Sequence, residues 1–321
     1  MRPLKLFSLD AGADFADRVA AALGVPLGAH EERDFVDGEH KLRPLDEVED
    51  ADVYLVQSLY SCNGSSVDDK LIRLLFFVGA LKDAGAARVS AVIPYLCYGR
   101  KDRRTKLHDP LSSRYLASLF ESLGTDAVVT LDVHNLAAFE NAFRIRTLHL
   151  PAQPLFVDFV AERLQGDGNP LVVASPDVGG VKRAEALRQA LGERLHCEVG
   201  RAFVEKYRSG GELSGGVLVG DVAGASVVIV DDLIAGGGTI TRATEAIQRG
   251  GASRIFALAS HGQFCGSALA DLAELPLEAL AVTNSLPQQA GAQLQVIDCA
   301  PLLAEAIQRL HSGGPATQLS V

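Results

Sequence analysis

The residues best equipped for chemistry lie at 227–241, VVIVDDLIAGGGTIT. An apolar run ends in two carboxylates, Asp231 and Asp232. Ala235 and three glycines follow, Gly236, Gly237 and Gly238, and Thr239 opens a stretch in which Ile240, Ala243 and Ile247 share one helical face. Glycines let backbone N–H groups converge on an anion, the hydroxyl adds a donor, and a helix N-terminus adds partial positive charge. Carboxylates beside such a cradle accept hydrogen bonds from vicinal sugar hydroxyls. A phosphate at one end and a diol at the other describe a phosphorylated pentose. The competing reading is a plain strand-to-helix turn whose glycines serve only close packing, and the adjoining acids weigh against it. No GxxxxGK[ST] motif and no strand-following GxGxxG occurs, so a nucleotide would be held by other means.

Other candidates are less specific alone. Residues 204–216, VEKYRSGGELSGG, are rich in glycine and serine and predict a mobile loop carrying Lys206 and Arg208. Cations on such a loop can close over phosphates and exclude water, although composition alone equally describes a solvated loop. Residues 35–39, FVDGE, contain an Asp-Gly hairpin signal. His134 at a strand end would by itself more often be structural, and Asp177 before Gly179-Gly180 suits a capping turn.

Buried-type strands at 52–57, 88–93, 127–131, 171–174, 226–230 and 255–259 alternate with helical stretches such as 68–82, 110–123 and 181–191. In 68–82, Leu71, Leu74, Leu75, Val78 and Leu81 recur at helical spacing. This rhythm predicts an α/β fold with mainly parallel sheets covered on both faces. Gly85-Ala86-Ala87-Arg88-Val89 and Gly251-Ala252-Ser253-Arg254-Ile255 both follow a helix and open a strand, which suggests two similar halves, or merely a common connector. The prolines of 150–154, LPAQP, suggest domains at 1–150 and 151–299, with a C-terminal helix and tail at 300–321.

With 321 residues, 48% hydrophobic and 22% charged, the chain has the composition of packed globular domains. Acids exceed bases by 40 to 30, so the long-range field repels polyanions, which argues against a nucleic-acid partner. Five cysteines without zinc or CxxC spacing predict reduced core thiols. The absence of an apolar run of signal-peptide or membrane-span length predicts a cytoplasmic protein with no membrane partner.

The strand, acid pair, glycine turn and Thr together resemble the phosphoribosyl diphosphate motif of type I phosphoribosyltransferases. Further motifs extend the likeness: FVDGE at 35–39, PYLCYGRKDR at 94–103, LDVH at 131–134, SPDVGG at 175–180, GDV at 220–222 and APLLAEAI at 300–307. In this order they resemble the ribose-phosphate diphosphokinase (phosphoribosyl diphosphate synthetase) family over nearly the whole chain. The resemblance implies two similar phosphoribosyltransferase-like domains. It also implies transfer of the diphosphoryl group of MgATP to the 1-hydroxyl of ribose 5-phosphate, giving 5-phosphoribosyl 1-diphosphate and AMP for nucleotide biosynthesis, with Mg²⁺ as cofactor.

By the same resemblance, Asp231, Asp232 and the turn from Ala235 through Gly236, Gly237 and Gly238 to Thr239 would hold ribose 5-phosphate. Phe35, Asp37 and Glu39 would receive adenine from a neighbouring subunit, so a homo-oligomer, a dimer or larger, is implied. Arg100, Lys101, Asp102 and His134 would complete the ATP site, His134 and Asp177 would serve the metal, and Lys206 and Arg208 would stabilise the transition state.

Departures from the family pattern accompany the likeness. Ala235 and Gly236 stand where the family has Asp and Thr, Lys101 replaces Gln, and Tyr207 lies between the two cations where a charged residue is common. Val48-Glu49-Asp50 lies where many members have Val-Arg-Gly, and His108 stands where they have Arg, so two cations linked to phosphate activation and ADP inhibition are absent and activation by phosphate is expected to be weak or absent. A catalytically weak regulatory paralogue and a phosphoribosyltransferase that consumes the activated sugar are the alternative functions.

Overall fold

Consecutive apolar residues are stable as strands only where both sheet faces are covered, and the computed structural model arranges them in that way. It describes residues 2–61, 64–209, 212–288 and 293–314, with the side chains of 206–209 and 212–215 outside the described part. The chain divides into two compact units, Met1–Leu150 together with Cys299–Val321, and Pro151–Asp298.

The first unit begins with β1 (Leu4–Ser8), α1 (Ala13–Leu23), β2 (His30–Asp34), β3 (His40–Pro44), β4 (Asp52–Val56) and α2 (Val67–Asp83). It continues through β5 (Arg88–Val92), α3 (Ser112–Ser122), β6 (Ala127–Leu131), α4 (Leu136–Ala142) and β7 (Arg146–Leu150). Five strands form a parallel sheet in the order β1-β4-β5-β6-β7, and β2 and β3 form a separate antiparallel hairpin. The five helically spaced apolar residues of α2 are all buried in this unit's core. Arg73 of α2 ties the hairpin down through Glu32 at 2.9 Å and Asp34 at 2.5 Å, with Asp69 at 3.3 Å.

The second unit holds α5 (Gln153–Arg163), β8 (Leu171–Ser175), α6 (Val181–Leu195), β9 (Val199–Ser209), β10 (Glu212–Val219), β11 (Ser226–Ile234) and α7 (Gly238–Arg249). It ends with β12 (Arg254–Gly262), α8 (Ala268–Ala273), β13 (Ala279–Thr283) and β14 (Leu294–Ile297). Its sheet order is β10-β9-β8-β11-β12-β13-β14, parallel except for the β9/β10 pair. The last helix, α9 (Ala300–Ser312), packs against α1 and belongs to the first unit.

The two glycine-alanine connectors have the same conformation. Gly85 and Gly251 are left-handed, at φ 88° and 84°, and each is followed by an arginine at the base of the next strand. Arg88 bonds Asp52, and Arg254 bonds Asp167 at 2.9 Å and Glu278 at 3.2 Å.

Two expectations are corrected. Residues 204–216 are largely two antiparallel strands, with only 210 and 211 outside the described backbone, where composition predicted a loop. Backbone pairing overrides composition here: Val204 is buried, and Gly216 crosses it so closely that a Cβ would collide with the valine. The ladder slips register between Leu213 and Gly216. Of the cysteines, Cys97 and Cys299 are core thiols, but Cys197 and Cys265 are exposed because they sit in the connections after α6 and β12; Cys62 lies outside the described residues.

A buried polar knot anchors α9. Arg88 Nε donates to Asp52 Oδ1 at 2.6 Å, Tyr54 Oη to Asp52 Oδ2 at 3.0 Å, and His311 Nδ1 pairs with Asp52 Oδ2 at 2.7 Å. Arg88 also reaches the Leu310 carbonyl at 3.2 Å. Burial pushes the Asp52 carboxyl up, but the hydrogen bonds from Arg88 and His311 more than reverse this and leave it below the usual range. Its stabilising contribution is therefore present above the ordinary carboxylate value and lost as pH falls below it. Asp52→Asn is expected to cost about 3 kcal/mol at pH 7. Urea unfolding measures this cost, and the gap from wild type should narrow on acidification.

Candidate functional site

In the second unit, β8 and β11 are neighbours, yet the chain leaves β8 toward β9 on one side and β11 toward β12 on the other. Such a switch point opens a crevice at the carboxyl ends of the strands, where ligands bind in open α/β sheets. Asp177 follows β8, while Asp231 and Asp232 lie near the end of β11, so the topology gathers three predicted acids along one edge.

The acid pair is largely buried. Asp232 N–H donates to Asp231 Oδ1 at 2.9 Å, and Arg183, from the first turn of α6, places Nη1 at 3.1 Å from Asp232 Oδ1 and 3.6 Å from Asp231 Oδ1. Burial, and next the Asp232 charge, push the Asp231 carboxyl up to about 7 against the pull of Arg183. Sequence reasoning missed Arg183. The available signal was a pair of cations, Lys182 and Arg183, in a helical first turn, where the helix dipole disfavours positive charge unless acids lie nearby.

The glycine turn follows directly. Gly237 is left-handed at φ 72° and caps α7, with Thr241 N–H donating to its carbonyl at 3.0 Å. A Cβ on Gly236 would meet nothing within 4 Å, so open space lies beside the turn. Gly238 N–H is spent on the Gly236 carbonyl at 2.9 Å, and Thr239 is half-buried. Asp177 Oδ1 accepts from Gly179 N–H at 2.9 Å and Gly180 N–H at 3.2 Å, the geometry of a capping turn. Lys206 and Arg208 fall on β9, but their side chains lie outside the described residues.

In the first unit, parallel β5 and β6 end side by side. The segment after β5 carries Arg100, Lys101 and Asp102, and His134 follows β6. The structure joins the two segments: Asn135 Nδ2 donates to Asp102 Oδ2 at 2.6 Å, while Asn135 Oδ1 caps α4 by accepting from Ala138 N–H at 3.2 Å. Asn135 is a second residue that sequence reasoning missed. Arg100 and His134 are exposed, and Lys101 Nζ is held by Asp109 at 2.5 Å. Tyr98 and Asp132, in the same two segments, adopt positive φ of 57° and 33°, a strain that clusters at functional sites.

The 35–39 element is the tip of the β2–β3 hairpin. Phe35 N–H donates to the Glu39 carbonyl at 2.8 Å, Gly38 turns at φ 90°, and Glu39 N–H is accepted by Asp37 Oδ1 at 3.1 Å. Phe35, Asp37 and Glu39 are all exposed, with the Arg33 guanidinium 5.2 Å from the Phe35 ring centroid.

With this geometry in place, comparison with known proteins is decisive. Residues 4–124 match the N-terminal domain of ribose phosphate pyrophosphokinase, and residues 214–320 match the phosphoribosyl synthetase-associated domain. Ribose-phosphate pyrophosphokinase 1 of Listeria monocytogenes is 35% identical over 98% of this chain and 96% of its own. The chain belongs to the ribose-phosphate pyrophosphokinase family. A putative second such enzyme of Streptococcus agalactiae is 32% identical over 99% of this chain and 95% of its own. The crystal structure of phosphoribosylpyrophosphate synthetase from Mycobacterium smegmatis superposes with a TM-score of 0.89 at 32% identity, covering 98% of this chain and 100% of that one. The chain is thus an enzyme of this family, with its fold of phosphoribosyltransferase-like α/β domains. Among the described residues, no helix is long and apolar enough to cross a membrane.

A carboxyl raised toward 7 favours the protonated fold, so stability falls as pH rises from the ordinary carboxylate value near 4 to about 7. Asp231→Asn keeps the Oδ1 acceptor and removes this penalty. The variant should be more stable than wild type by up to about 4 kcal/mol at pH 8, with the difference vanishing near pH 4. Thermal melts of the ligand-free protein across that range provide the measurement.

Proposed function

We propose that the protein is a ribose-phosphate diphosphokinase that transfers the diphosphoryl group of MgATP to the 1-hydroxyl of ribose 5-phosphate, releasing AMP, in nucleotide biosynthesis. The observation that carries this reading is the buried Asp231–Asp232 pair running into a glycine turn and the start of α7, in a chain of this family. The carboxylates accept from the ribose hydroxyls, while Thr239 and the turn hold the 5-phosphate. Arg100 and Lys101 take the nucleotide phosphates, Asp102 and His134 complete the ATP site, and Phe35, Asp37 and Glu39 of a neighbouring copy receive adenine. The exposure of the hairpin tip supports that role, since an adenine-stacking ring needs a free face. A dimer or larger homo-oligomer, working in the cytoplasm, follows from this reading.

Magnesium is suited by hard oxygen donors such as the Asp177 carboxylate, whereas the His134 imidazole fits better against water on the ion. When bound, Mg²⁺ neutralises phosphate charge. Lys206 and Arg208 stabilise the charge that builds on the phosphate oxygens as the sugar hydroxyl attacks the β-phosphorus. Groups that act mainly in the transition state lower turnover more than binding when removed.

The test is incubation with ribose 5-phosphate and MgATP while following AMP release. Turnover should require the sugar phosphate, and Lys206→Ala should lower kcat at least about a hundredfold with a small change in KM. Sugar-independent hydrolysis, or an unchanged rate in the variant, overturns the reading.

A further inference from the structure

Arg242 is a half-buried arginine one turn into α7, and its side chain makes no ion pair among the described residues. Among the described residues its one side-chain hydrogen bond is a long one, from Nη2 to Thr239 Oγ1 at 3.5 Å. Nη1 lies only 3.3 Å from where a Cβ on Gly238 would stand, so the guanidinium lies over the glycine turn. Arg183 and Arg254 of the same unit are, by contrast, paired with acids. A half-buried cation without a counter-ion, drawn back toward the N-terminal end of its own helix, is placed unfavourably unless an anion completes the arrangement.

The turn lacks side-chain donors where the guanidinium hangs over it. Ala235 offers a methyl group, Gly236 offers only backbone with open space around it, and Gly238 N–H is already bonded within the turn. Thr241 Oγ1 is spent on the Gly237 carbonyl at 3.3 Å, which leaves Thr239 and Arg242 as the side-chain donors beside the cradle among the described residues. A guanidinium presents two parallel N–H groups that match two oxygens of a phosphate.

We propose that Arg242 is a phosphate-binding residue that, with the Thr239 hydroxyl, holds the 5-phosphate of the sugar substrate. This rests on the reading of the site as a ribose 5-phosphate site. It assigns the sugar's affinity in this protein to a residue outside the glycine turn.

The test compares full-length wild type, Arg242→Gln, Arg242→Lys and Arg242→Ala. For Arg242→Gln, KM for ribose 5-phosphate should rise about ten- to a hundredfold, the loss of one charged hydrogen-bonding group. KM for MgATP should stay within twofold and the melting temperature within about 2 °C. Arg242→Lys, which keeps the charge without the fork, should fall between. Added guanidinium ion should restore sugar-phosphate affinity to Arg242→Ala. An unchanged KM for ribose 5-phosphate, or a parallel rise in both KM values, overturns the proposal while leaving the diphosphokinase reading intact. If wild type releases no AMP, the functional reading fails first. Calorimetric titration with inorganic phosphate then decides separately: weaker binding by Arg242→Gln and Arg242→Lys supports the role of Arg242, and equal binding ends it.

Discussion

Two adjacent carboxylates cannot both lose water at the end of a buried strand without a cation to offset their repulsion. At Asp231 and Asp232 that cation is Arg183, reaching both acids from α6. The arrangement constrains the whole second unit, because α6 must follow the strand next to β11 for its first turn to reach the acids. That strand is β8, and the chain departs from β8 and β11 in opposite directions. The crevice, the acid pair and the glycine turn are therefore consequences of one topology. At Asp231, burial and the Asp232 charge outweigh the pull of Arg183, so the pair favours added hydrogen-bond donors.

The first unit solves a different problem. Its hairpin must present an exposed tip while remaining fixed, and a two-stranded ribbon has little core of its own. Arg73 supplies the anchor by engaging acids on the hairpin and on its own helix, so the tip at 35–39 projects from a rigid base. At the opposite end of the chain, the Asp52 knot binds His311 and the Leu310 carbonyl, which makes the C-terminal helix part of the first unit although it follows the second in sequence. In the hairpin charged groups hold an element with little core of its own, and in α9 they fix the last turn of a helix whose apolar face is already buried.

Much of the fold was legible because its signals are local. The apolar runs of β4, β5, β6, β8, β11 and β12, the helical face of α2 and the left-handed glycines at 85 and 251 each follow from neighbouring residues. The acid-glycine segment was legible for the same reason, since its parts are contiguous and their spacing carries the chemistry. Local composition failed at 204–216, where glycines and serines suggested a loop. Pairing between β9 and β10 satisfies the backbone there whatever the composition, and Gly216 is needed for close approach to Val204. The exposed Cys197 and Cys265 show the same limit, because residue type says little about a position in a connection.

By itself the sequence determined most element types, the α/β class and the place where an acid pair runs into a glycine turn, because those depend on side-chain periodicity and contiguous chemistry. Only the tertiary structure decided which cations face which acids. Arg183, Asn135 and Arg242 look like ordinary residues of a helix or its cap until strand order brings Arg183 to Asp231 and Asp232, and Asn135 to Asp102 across two strand ends. For Arg242 it is the path of the glycine turn that brings its guanidinium over Gly238. Electrostatic pairing depends on distance in space, and a linear pattern does not encode that distance.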